Sequence, residues 1–137
     1  MVHALVQTHS ILRNGGVLLN IHDLPNPHAV EVHSVGKVME AGLLMDRVDY
    51  MDERLAFEAL ARVVSDGLFL LEDERDFDFN IHAGNLSELQ QLLAEDWETA
   101  ILPDETVERV ESLLRQVGQE CEVVLRVPTR MTKLRIA

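Results

Sequence analysis

The apolar positions along the chain switch repeatedly between a helical and an alternating period, and the switches mark out the elements. In residues 2–14, Ala4, Leu5, Thr8, Ile11 and Leu12 fall on one helical face. Arg13 sits in the last turn, where a cation favours the dipole, and Asn14-Gly15-Gly16 can take the left-handed conformation that stops a helix. Val17 to Ile21 is nearly unbroken apolar sequence, the pattern of a strand buried on both faces. Pro25-Asn26-Pro27 breaks regular structure. Residues 29–35 alternate as a strand, and residues 38–47 return as its hairpin partner, with Gly36-Lys37 near the turn.

A second helix is predicted over 52–66, with Leu55, Ala56, Ala59, Leu60, Val63 and Val64 as its apolar face and Gly67 as its end. "LFLLEDERDFDFNIHA" reads as one extended strand or two joined by a bend. In it Phe77, Phe79 and Ile81 alternate with Asp76, Asp78 and Asn80, which makes one half-buried strand with an acidic, solvated face. Ser87-Glu88-Leu89-Gln90 has the capping-box pattern and opens a helix carrying Leu89, Leu92, Leu93 and Trp97. Pro103-Asp104-Glu105 opens another, with a stripe of Val107, Val110, Leu113, Leu114 and Val117 and a stop at Gly118. "CEVVLRV" and "RMTKLRI" are two strands, or one bent at Pro128. The order is helix, strand, hairpin, helix, strand, two helices, strand. It predicts an α/β or α+β fold of about six β segments and four helices, and no repeat or linker divides residues 1–137 into more than a single domain.

Composition narrows the class. A chain of 137 residues with 47% apolar content can bury a real core. Its uncharged apolar runs fall far short of the roughly 20 residues a membrane helix needs. No basic, then apolar, then small-residue leader is visible, and Cys121 is a lone cysteine without an internal disulfide partner. These features point to the cytoplasm. The net charge of −12 is concentrated in residues 51–118, which hold 17 acids against 5 bases. Such a surface repels phosphates, so neither nucleic acid nor an anionic membrane is an expected partner. The basic tail (Arg126, Arg130, Lys133, Arg135) is too small a patch to change that.

"ALVQTHSILRNGGVLLNIHDLP" resembles the helix–Gly-Gly–strand segment that leads into the fifth strand of class I S-adenosylmethionine-dependent methyltransferases. The matching residues are Leu5, Ile11, Leu12, Arg13, Gly15, Gly16 and Val17 to Leu19, with Asn14 in place of the usual proline. The helix at 52–66, the "DGLF" stretch and the closing "TKLRIA" fit the C-terminal half of the same fold. The resemblance implies a partial Rossmann-like methyltransferase sheet in which the strand at 17–22 lies beside the closing strand. The family's cofactor loop, close to D-x-G-x-G, occurs nowhere, so no cofactor-binding residue is assigned. S-adenosylmethionine is implied only if a partner supplies the missing half. The implied function is that of a half-domain without methyl transfer of its own. Its strand 17–22 would keep one open edge, and such an edge pairs or aggregates. A homodimer or a separate partner chain along that edge is expected; the remaining possibility is that the hairpin covers it. The alternatives are the substrate-side half of a split methyltransferase, or a small-molecule binding module.

Candidate chemistry centres on His22 and Asp23. They follow the strand's carboxyl end, where α/β sheets place ligands, and would act as base and orienter if the fold were completed. His28 and His33 lie nearby in sequence, but the Pro-x-Pro break separates them from His22 and no metal site is assigned. "EDERDFDFNIH" lacks the glycine and terminal glutamate of a calcium loop. His3 and His9 fall on different helical faces, Cys121 has no CxxC partner, and Trp97 reads as core.

Overall fold

Ten elements form, in the predicted order with one short addition. They are α1 (Val2–Ile11), β1 (Val17–Asp23), β2 (His28–Ser34), β3 (Lys37–Asp46), α2 (Met51–Ser65), β4 (Phe69–Ala83), α3 (Leu86–Asp96), β5 (Ala100–Ile101), α4 (Asp104–Val117) and β6 (Cys121–Ile136). The computed structural model describes residues 1–118 and 120–137. The fold is mixed α/β, with four helices and six strands. Strand pairing is antiparallel, in the order β1-β6-β2-β3-β5, and β4 bonds to β6. Where the sequence allowed one strand or two, each is one: β4 has 15 residues and β6 has 16. Pro128 lies within β6, and its carbonyl accepts from the Leu24 N–H at 2.8 Å.

Contacts sort the chain into two compact units. The first comprises Met1–Pro25, Tyr50–Phe77 and Pro128–Ala137. Here β1 pairs with the second half of β6, from Val17↔Arg135 to Asp23↔Thr129. β4 also bonds to β6. β1 and β4 are thus both hydrogen-bonded to β6, with α2 immediately before β4 in sequence. Leu5, Ala59, Leu60, Val63, Phe69 and Leu134 form its core.

The second unit comprises Asn26–Asp49 and Asp78–Val127. The β2–β3 hairpin turns at Val35-Gly36, where Gly36 has a φ of 70° that suits glycine in a two-residue turn. A register shift between Val30 and Glu31 marks a bulge in this ladder. Helix α4 packs on β2 and β3. Its stripe works as the spacing predicts: Val110 is 0% and Leu113 3% exposed, each burial contributing about 1.5–3 kcal/mol. Val30, Val32, Leu44, Leu89, Val123 and Leu125 complete this core.

Local expectations are corrected in four places. Helix α1 stops at Ile11, not Asn14, because Leu12 is already extended (φ −75°, ψ 144°). The hydroxyls of Thr8 and Ser10 donate back to the carbonyls of Ala4 and Gln7, local bonds that compete with helix continuation. Arg13 therefore lies outside the helix, and Ile11 is 80% exposed. Helix α3 is capped by Asn85 rather than opened at Ser87. The Asn85 side chain accepts from the Glu88 N–H at 2.9 Å, and Glu88 accepts from the Gly84 N–H at 2.6 Å. Phe77 and Phe79 are exposed, so their alternation in β4 does not mark a buried face. Finally, β1 is buried on one face only: Leu18 joins the core while Leu19 and Ile21 are 56% and 61% exposed.

Candidate functional site

His22 and Asp23 end β1, opposite Arg130 and Thr129 of β6. Successive residues of a strand point to opposite faces. The His22 ring stands 6.0 Å from the Phe57 ring of α2. The Asp23 carboxylate accepts from the Thr129 hydroxyl at 3.4 Å. The two side chains thus leave the strand in opposite directions, and Asp23 orients Thr129 rather than the imidazole. A base with its own orienting carboxylate is not assembled by these two residues.

The other histidines serve their own surroundings. His28 is buried in the second unit, with its ring 4.7 Å from the Trp97 ring. The Trp97 indole N–H is shared between Asp46 and Thr99, at 3.2 and 3.1 Å. His33 lies 2.7 Å from Glu31 on the same strand. His9 meets Phe69 edge-on at 5.3 Å, and the Cys121 thiol donates to the Gly118 carbonyl at 3.2 Å. No group of three or more His, Cys, Asp or Glu side chains that could hold a metal ion occurs among the described residues.

The acidic stretch proves to be paired, not merely solvated. In the first unit the Glu72 carboxylate meets Lys133 at 2.9 Å and also Arg135. Arg130 grips Asp76 through Nε and a terminal nitrogen, at 2.6 and 2.9 Å, and reaches Glu74 at 3.1 Å. In the second unit Arg126 joins Glu31 at 2.9 Å and Asp78 at 3.5 Å. Within each unit, therefore, carboxylates of β4 are paired with basic residues of β6. Arg135 and then Lys133 hold the Glu72 carboxyl down at about 2. Arg130 likewise lowers Asp76. Burial pushes the Glu31 carboxyl up, but hydrogen bonds from His33 and Arg126 outweigh it and leave the group below its ordinary value. Opposed runs of acids at 72–78 and bases at 126–135 were the available sequence signal.

These ion pairs make the two strands that flank β6 in the first unit, β1 and β4, unequal. β4 carries five consecutive charged residues, Glu72 to Asp76, which guard a strand edge against further pairing. β1 has one hydrogen-bonded neighbour among the described residues, β6. In the second unit β2 is paired on both sides, with β3 and β6. No charged residue occurs between Val17 and Ile21, and the outward Leu19 and Ile21 stand opposite Lys133 and Met131 of β6 in the register. The most distinctive surface of the first unit is thus an unguarded, apolar strand edge. No family model, curated protein or solved structure matches the chain. No helix among the described residues is long and apolar enough to cross a membrane.

Proposed function

We propose that the chain is a methyltransferase-like half-domain that works by strand pairing along β1 and carries out no methyl transfer alone. The carrying observation is the unguarded edge of Val17–Asp23, with Leu19 and Ile21 exposed. The antiparallel pairing of β1 with β6 supports the resemblance, which calls for the fifth strand to lie beside the closing strand. The partner that fits best is a second copy. Antiparallel pairing of two β1 strands about Asn20 sets Leu19 of each copy opposite Ile21 of the other. Two apolar contacts then close symmetrically, as a two-fold interface requires. A lone cysteine with no internal disulfide suits a reducing compartment such as the cytoplasm. A separate chain bearing the cofactor-binding half is the competing occupant.

Analytical ultracentrifugation decides between them. A dimer that dissociates on Ile21→Lys supports the reading; a monomer unaffected by that change overturns it. Titration calorimetry of the chain with S-adenosylmethionine is expected to show no binding, and micromolar affinity would contradict a half-domain lacking the cofactor cradle.

A further inference from the structure

The first unit contains a cleft of about 460 Å³ between α2, β4 and β6. That volume lies within the range of small-molecule sites. Phe57 and Leu60 of α2 face Leu71 of β4 and Leu134 of β6 across it, so its walls are largely apolar.

One polar group on the cleft is unexplained by the fold. Thr132 lines it, is 3% exposed, and its Oγ1 has no hydrogen-bond partner. Its cross-strand neighbour Asn20 carries a second buried atom without a partner, Nδ2. Buried polar groups are ordinarily satisfied, because leaving one unpaired is unfavourable. Two such groups side by side on the sheet mark a place where a polar group from outside would be welcomed.

The rim sets the charge of what can enter. The Arg130 guanidinium lies 5.7 Å from the Phe57 ring centroid, and each of its three nitrogens is already engaged by Asp76 or Glu74. Of the lining residues only Glu74 and Arg130 are charged, and they cancel, so the cleft has no net charge to repay the desolvation of an anion. We propose that this cleft binds a small, uncharged, mainly apolar ring compound with one hydrogen-bonding group, its rings against Phe57, Leu60 and Leu134 and its polar group on Thr132. The site is independent of strand pairing at β1.

N-Phenyl-1-naphthylamine is a suitable probe: neutral, with a naphthyl and a phenyl group joined by one N–H. Its fluorescence is expected to rise saturably with the intact chain at one site per chain. Its sulfonated counterpart, 8-anilinonaphthalene-1-sulfonate, should bind at least about tenfold more weakly. Thr132→Val keeps the shape and removes the hydroxyl, and should weaken the probe by about five- to tenfold. Ala61 is exposed at the cleft, so Ala61→Trp should block binding with an unchanged circular dichroism spectrum. Ile21→Lys should leave the affinity unaltered, which separates the cleft from the strand edge. Absence of saturable binding, equal or tighter binding of the sulfonate, or full binding by Ala61→Trp would overturn the site. Unchanged affinity in Thr132→Val would overturn the role given to its hydroxyl.

Discussion

Thr132→Val should make the protein more stable. The residue is 3% exposed on β6, and its hydroxyl has no hydrogen-bond partner. Valine keeps the β-branch, so the strand conformation and the side-chain rotamer are undisturbed. What changes is one hydroxyl for one methyl. An unpaired buried hydroxyl costs about 1–3 kcal/mol, and its removal recovers most of that. Because Thr132 lines a cleft rather than a sealed core, the lower part of the range applies: a gain of about 1–2 kcal/mol. For a chain of this length that corresponds to about 3–8 °C in Tm. Urea unfolding followed by far-ultraviolet circular dichroism measures it, with the midpoint rising and the m-value unchanged. A variant less stable by 1 kcal/mol or more, on the same scale of hydrogen-bond energies, would show that the hydroxyl is satisfied, for instance by a bridging water, and the reasoning would fail. An unchanged midpoint would contradict it as well.

Four further substitutions probe the rest of the fold. Gly42 has a φ of 155°, and a Cβ there would collide with the Thr106 hydroxyl, so Gly42→Ala should destabilise the chain by about 2–4 kcal/mol in urea unfolding. Asn85→Ala should cost about 1 kcal/mol by removing the cap of α3, while Ser87→Ala stays within about 0.5 kcal/mol; equal effects would restore Ser87 as the cap. Glu72→Gln should flatten the acid limb of the stability curve. The Glu72 carboxyl is lowered from 4.5 to about 2, so its contribution is present above 4.5 and is lost as pH falls toward 2. Stability measured across that window should depend less on pH in the variant, and an identical slope would show that the pairing with Arg135 and Lys133 does not act on folding.

How much of this could be read in the sequence depended on range. The stripe of α4 was legible because Val110 and Leu113 declare their shared face within a few turns. The hairpin was legible because Gly36 and two alternating runs sit together. β5 was not, since two residues have no period; only tertiary pairing with Met45 and Asp46 makes them a strand. The cap of α3 was misplaced because Ser87 satisfies the same pattern as Asn85 two positions earlier. Alternation showed that Phe77 and Phe79 share a side of β4, but coverage of that side is a tertiary property, and both remain exposed. The pairing of Glu72 with Arg135 spans 63 residues, beyond any local rule. At the candidate site, adjacency of His22 and Asp23 suggested cooperation, whereas the pleat of β1 sends them apart.

The account turns on the outer edge of β1. Alternate amides of Val17–Asp23 bond to β6, and the others point to the open side. Pairing with a second copy would protect both sets. Ile21 is 61% exposed, so burying its remaining area in both copies contributes about 2–3 kcal/mol, and Ile21→Lys should weaken the dimer by about thirty- to hundredfold. The most direct measurement is hydrogen exchange of Val17–Asp23 on a sample whose mass is fixed by sedimentation equilibrium. A dimer in which every β1 amide exchanges slowly, and in which Ile21→Lys releases only the outward set, is the predicted result. A monomer whose outward amides exchange freely at every concentration would contradict the claim.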